Sequence, residues 1–380
     1  MATGGRAAAG RTSPPACSPG NSTAAAPGTT SRRAAPASPS SSPRPGPPSS
    51  TRSGWPGRLG LHLTNNLDWS THIYQVCLRA NRKLAVLRQV KLLKRQTLDV
   101  LYKLTVRSLI DYALPVFYHT LELTQKALLD KVQYTAGKIV SGALHLTNTD
   151  KLNQELGWES IASRADLLGY NIFHKIAKGE TRDLIKTCLQ PRVICPQTLR
   201  FGGFVPFPYN NMAFSNSFFP YFTKKYNKLN KTVTSLATED FKQHISCKLK
   251  PNKFKHFSRG NKYSNILLTR IRVGRSQLKS HSHSIGLSET NTCSCNDTTS
   301  ETPQHFITQC PHYNCARQTL FDQVEQNFIP NFKKLSMKKQ FDILVFGYEP
   351  FNPELRSINS KIMILTQNYI VKTKRFDPVA

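Results

Sequence analysis

Apolar residues recur with a regular period only after residue 58, and from there the pattern is mostly helical. Leu59-Gly60-Leu61-His62-Leu63 reads as a short strand, with a turn at Asn65-Asn66 and a helix beginning at Ser70. Ile73, Val76, Cys77, Ala80, Leu84, Leu87 and Val90 form one apolar face of that helix. A second helix carries Leu98, Leu101, Tyr102, Thr105, Leu109 and Tyr112 until Pro115 ends it. A third carries Leu128, Leu129, Val132, Ala136 and Ile139 up to Gly142, and a fourth runs from Ile161 through Leu167, Leu168, Phe173 and Ile176 to a stop at Gly179. These four predict a helical domain over residues 57–189.

Residues 190–222 hold several prolines, Gly202-Gly203 and the aromatic run Phe214, Phe218, Phe219, Tyr221 and Phe222 without a clear period. They read as an irregular packed connector, spanning 190–234. Short helices resume near Ser235, and helical patterns return at 316–328, 334–345 and 353–372, within a C-terminal region of residues 235–380. The predicted fold class is therefore mainly α. No internal repeat is visible.

Residues 1–56 are built from Ala, Ser, Pro, Gly, Thr and Arg, with no Asp or Glu and almost nothing large to bury. A disordered tail is expected there. An acid-free, Arg- and Ser-rich start also suits an organelle transit peptide, but its frequent prolines oppose the amphipathic helix of a mitochondrial one. With no run of eighteen apolar residues and no secretory core, nothing places the chain in a membrane, and the nucleus or cytoplasm is favoured over secretion.

Charge changes the picture most. Fifty-two Lys and Arg against twenty-two Asp and Glu leave +30, far more than solubility needs, and point to a polyanion, RNA or DNA, as partner. Nine cations (Arg79, Arg82, Lys83, Arg88, Lys91, Lys94, Arg95, Lys103, Arg107) stand in one stretch with a single acid, Asp99. Such a face displaces counterions from phosphates; the plainer alternative is a solvated helix face. From Phe241 to Ser288 no acid occurs, while eleven cations do, including Lys253, Lys255, Arg259, Arg270, Arg272 and Arg275. Phe254, Phe257 and Tyr263 lie among them, either to stack bases or to anchor the segment on the core.

Nine cysteines, four of them between residues 293 and 315, suggest metal rather than a disulfide framework and a reducing compartment. Cys293-x-Cys295-x9-His305-x4-Cys310 offers three thiolates and an imidazole, a closed tetrahedral set for structural Zn²⁺. Cys315 or His312 could replace Cys310, and buried free thiols are the alternative. No Asp-Asp pair exists for two-metal nucleotidyl transfer, and no P-loop, Gly-x-Ser-x-Gly or His-Glu-x-x-His occurs. Glu239-Asp240, the adjacent acids, sit where a helix start explains them. No catalytic residue is assigned.

Several blocks resemble reverse transcriptases of non-LTR (LINE-type, jockey-like) retrotransposons, in the portion after the polymerase palm. These are Leu59-Gly60-Leu61 with Leu67-Asp68-Trp69-Ser70-Thr71-His72-Ile73; Leu101-Tyr102-Lys103 with Val106 through Ala113; and Ser217-Phe218-Phe219-Pro220 with Tyr226-Asn227 and Leu229. Leu268 through Ser276 then precedes the Cys-Cys-His-Cys knuckle, with Glu301-Thr302 and His305-Phe306 in the family's order. The resemblance covers about residues 59–375 and implies a thumb-like helical domain, a connector and a zinc knuckle that hold nucleic acid. The family's Tyr-x-Asp-Asp box would lie upstream, where this chain has its polar tail, so fingers, palm and endonuclease are expected to be absent. The expectation is a binding fragment without catalysis of its own. Rival expectations are a reverse transcriptase subunit completed by a palm from a second chain, and a host-adopted nucleic-acid-binding regulator.

Overall fold

The structure is a computed structural model in which residues 60–64, 66, 68–190, 203–296 and 298–377 are described; the tail at 1–56 and Leu59 lie outside them. The described chain is mainly helical: α1 (Ser70–Gln89), α2 (Arg95–Tyr102), α3 (Ser108–Asp111), α4 (Leu114–Phe117), α5 (Leu123–Ser141), α6 (Thr149–Leu156) and α7 (Ile161–Ala177) come first. Then follow α8 (Asp183–Lys186), α9 (Met212–Ser215), α10 (Phe218–Tyr226), α11 (Lys231–Thr234), α12 (Thr238–Leu249), α13 (Lys262–Arg272) and α14 (Lys279–Ser284). Last are α15 (Asn314–Asn327), α16 (Met337–Phe346) and α17 (Arg356–Lys372).

α1 forms where its period predicts and buries Ile73, Val76, Cys77, Ala80, Leu84 and Leu87, packing on α5. α5 begins with a capping box, Glu122 and Gln125, and ends at Gly142 in the left-handed region, φ +71°. A Cβ on Gly142 would meet Ile266 at 2.7 Å, so this glycine also permits α13 to approach. α6, not anticipated from the period, is capped by the Asn148 side chain on the Asp150 and Lys151 amides and closed by Gly157 at φ +64°.

Two expectations are corrected. Among the described residues no segment forms a strand, residues 61–64 included, because no described neighbour supplies them with ladder hydrogen bonds; an antiparallel bridge pairs Thr292 with Ser300. The second helix does not run to Pro115. It passes through a π turn at Lys103–Arg107 and stops at Asp111, and Pro115 stands in the first turn of α4. The π turn admits one extra residue, so the buried face after Leu98 and Tyr102 continues at Val106 and Ile110 rather than Thr105 and Leu109. That shift carries Arg107 inward.

Three apolar clusters result. The first joins α1 to α6 around Trp158, whose ring stacks on Tyr102 at 4.2 Å. The second gathers Phe173 of α7, Phe222 and Tyr226 of α10, and Phe241 of α12. Part of the expected irregular connector is thus helix, and α10 lies so close to α7 that a Cβ on Gly169 would meet Phe222 at 1.9 Å. The third cluster packs α13, α15, α16 and α17 around Phe306, Phe332 and Leu344. No helix among the described residues is long and apolar enough to cross a membrane.

Candidate metal centre and basic surface

The four residues of the predicted knuckle converge. Cys293 follows the Thr292–Ser300 bridge; its amide donates to the Thr299 carbonyl at 2.7 Å, and its carbonyl accepts from the Asn296 amide at 3.3 Å, closing the turn that holds Cys295. His305 and Cys310 bracket a π turn, His305–Gln309, closed by the Cys310 amide on the His305 carbonyl at 2.8 Å. Two buried anchors hold that turn: Tyr369 Oη donates to the Phe306 carbonyl at 2.7 Å, and Arg317 Nη1 to the Cys310 carbonyl at 2.8 Å.

The ligand atoms of Cys293, Cys295, His305 and Cys310 all lie within 4.8 Å of one another. Cys293 Sγ and Cys310 Sγ are 3.6 Å apart, and Cys295 Sγ is 3.3 Å from His305 Nε2. Sulfurs at about 2.3 Å and a nitrogen at about 2.0 Å around one tetrahedral ion stand roughly 3.5–3.8 Å apart, so the donors fit a single cation. They do not fit a disulfide, whose sulfurs are about 2.05 Å apart. Burial raises the Cys295 thiol and pushes that of Cys310 up to about 12. A divalent ion would reverse this, since only the thiolate ligates. Cys315 is exposed and, like His312, stands outside the group.

The centre is tied to the chain's end. Glu301, buried beside the knuckle, accepts from Arg375 Nε at 2.6 Å and Nη2 at 2.7 Å, and from the Lys279 amide at 2.7 Å.

The basic residues divide sharply. Arg79, Arg82, Lys83, Arg88, Lys91 and Lys94, on α1 and the loop after it, are exposed and make no ion pair among the described residues. Arg95, Arg107 and Arg272 are turned inward. Arg95 and Arg272 share the buried carboxylate of Glu155, each at 2.7 Å, and Arg107 reaches Glu159 at 3.2 Å. Lys103 and Lys253 both pair with Asp99 at 2.9 Å, while remaining open to solvent. Arg270 Nε donates to the Gly142 carbonyl at 3.0 Å, and Arg275 meets His281 at 3.0 Å. Arg259 is exposed, and Lys255 opens a short 3₁₀ turn, Lys255–Ser258.

Glu155 and Glu159 were missed in reading the sequence. A signal existed, because Glu155 stands on the apolar stripe of α6 between Leu152 and Leu156, where an acid needs a buried partner. Of the interleaved aromatics, Phe257 is buried under Arg272, whose guanidinium sits 4.2 Å from its ring centre, so it anchors the core. Comparison with protein-family models, with curated proteins and with solved structures gave no match for this chain.

Proposed function

We propose that this protein is a nucleic-acid-binding module stabilised by a structural zinc knuckle, derived from the C-terminal portion of a non-LTR retrotransposon reverse transcriptase and without polymerase activity of its own. One observation carries the binding reading: six cations, Arg79, Arg82, Lys83, Arg88, Lys91 and Lys94, are exposed along α1 and its following loop, none ion-paired among the described residues. Unpaired cations at such density repel one another and are relieved by a polyanion. The ion is assigned as Zn²⁺ because three thiolates and one imidazole suit its softness and tetrahedral geometry, and a closed set leaves no position for a reacting water. The knuckle then acts by locking the bridge at Thr292–Ser300 to the π turn at His305–Gln309.

The test is binding of the full chain to mixed-sequence RNA and DNA across a salt series, with metal quantified on the same sample. Affinity that falls steeply with salt, together with about one zinc per chain, is expected. Weak, salt-insensitive binding would overturn the reading, and DNA synthesis by the chain alone would overturn its non-catalytic part.

A further inference from the structure

Two cavities share a wall at the start of α2. One, of about 280 Å³, is bordered by Phe254, Lys253, Arg259 and Gln96. The other is bordered by Lys94, Lys262, Gly260 and again Gln96. Together they make a groove running from the Phe254 ring to the loop between α1 and α2.

Its charge is lopsided. The carboxylates that reach it, Asp99 and Glu155, are each already held by two cations, Lys103 with Lys253 and Arg95 with Arg272. Arg259 and Lys94 have no ion pair among the described residues. Lys262 is fixed by its donation to the Leu93 carbonyl at 2.7 Å, which holds its ammonium near Lys91, and burial with that neighbouring charge lowers its proton affinity. No side chain caps the α2 N-terminus at this point, so its amides add to the positive potential.

The groove is also rigid. The Arg259 carbonyl accepts from Asn265 Nδ2 and Gln367 Nε2, both at 2.8 Å. Gly260, at φ +89°, admits Gln367 where a Cβ would meet its Oε1 at 1.9 Å. At the opposite end, Phe351 is 69 % exposed and stands edge-on to Phe254, ring centres 5.3 Å apart.

We infer that this groove is a track for single-stranded nucleic acid: Arg259, Lys94 and Lys262 neutralise successive phosphates, and the Phe351 and Phe254 rings take an unpaired base. Rings at one end and unpaired cations along the rest of the groove suit a strand whose bases are free to stack, which a duplex does not offer. The inference rests on the nucleic-acid reading above and assigns that reading a place and a strand class.

The experiment measures affinity of the full chain for an oligouridine of about 16 nucleotides and for a duplex of equal length. The variants are Lys262→Gln with Arg259→Gln, Phe351→Ala, and Arg79→Gln with Arg82→Gln and Lys83→Gln. None of these side chains is buried, so folding is checked simply by circular dichroism. The groove pair is expected to weaken single-strand binding about tenfold and Phe351→Ala about fivefold, leaving duplex binding within roughly twofold. The α1 triple variant is expected to weaken both. Unchanged single-strand affinity in the groove variants, or an equal loss on duplex, overturns the track while leaving the general reading intact. Failure of the unaltered chain to bind either probe overturns both.

Discussion

Glu155 and Arg272 form a two-pronged pair, Oε1 to Nη2 at 2.7 Å and Oε2 to Nε at 2.8 Å, across 117 residues of sequence. Their side chains are 3 % and 2 % exposed. Arg95 and the Thr269 hydroxyl complete the shell of Glu155, so α2, α6 and α13 meet on one carboxylate. Such a contact fixes which helices are neighbours, because any other arrangement leaves a buried charge alone.

Removing that carboxylate charge should therefore be costly. Glu155→Gln is expected to lower unfolding free energy by about 3–5 kcal/mol, read from urea midpoints, since two guanidinium groups lose their counter-charge in the interior. Burial by itself would raise the Glu155 carboxyl, but the charges of Arg272 and Arg95 hold it below the usual value near 4.5. A depressed folded value means the contribution is full above that pH and is lost as pH falls further. A variant as stable as the native chain at pH 7 would remove Glu155 from this role.

A second acid-sensitive element lies at the start of α1. His72 is 3 % exposed, packed against Trp69 and Phe117, and neither ring nitrogen has a hydrogen-bond partner among the described residues. Burial, with charge at His62 and Arg79, pushes it down to about 4. The folded state then refuses a proton that the unfolded chain takes up near 6.5, so stability declines as pH drops from 6.5 towards 4. His72→Phe should flatten that decline by roughly 1–3 kcal/mol in denaturation curves at pH 5 against pH 7; a parallel pair of curves would refute it.

Chelation should act locally at first. Stripping the metal or changing Cys310→Ser is expected to abolish stoichiometric zinc and to increase amide exchange in residues 291–313, because these ligands join the bridge to the π turn. Cys315→Ser should leave metal content unchanged, its thiol being exposed and outside the group. Loss of zinc in that variant would mean the wrong fourth ligand.

Tyr102 offers a test of a different kind. It is fully buried on Trp158, and its hydroxyl has no hydrogen-bond partner among the described residues. Tyr102→Phe should leave thermal stability unchanged or raise it by about 1 kcal/mol, since an unsatisfied buried hydroxyl is removed and the stacked ring kept. A marked drop would show that the hydroxyl has a partner.

The order of residues by itself determined what depends on near neighbours. The apolar period marks α1, α5, α7 and the C-terminal helices, Gly142 marks a helix end, and the Cys-x-Cys-x9-His-x4-Cys spacing marks the metal group. The remaining features depend on distant partners or on a small slip in register. The π turn at Lys103–Arg107 rotates the helix face by one position and takes Arg107 out of the exposed set. Glu155 draws in Arg95 and Arg272 from 60 and 117 residues away, so cations alike in sequence divide into buried links and an exposed surface. Leu61 to Leu63 alternates like a strand yet forms none, because a strand needs a partner that the period of one segment cannot reveal.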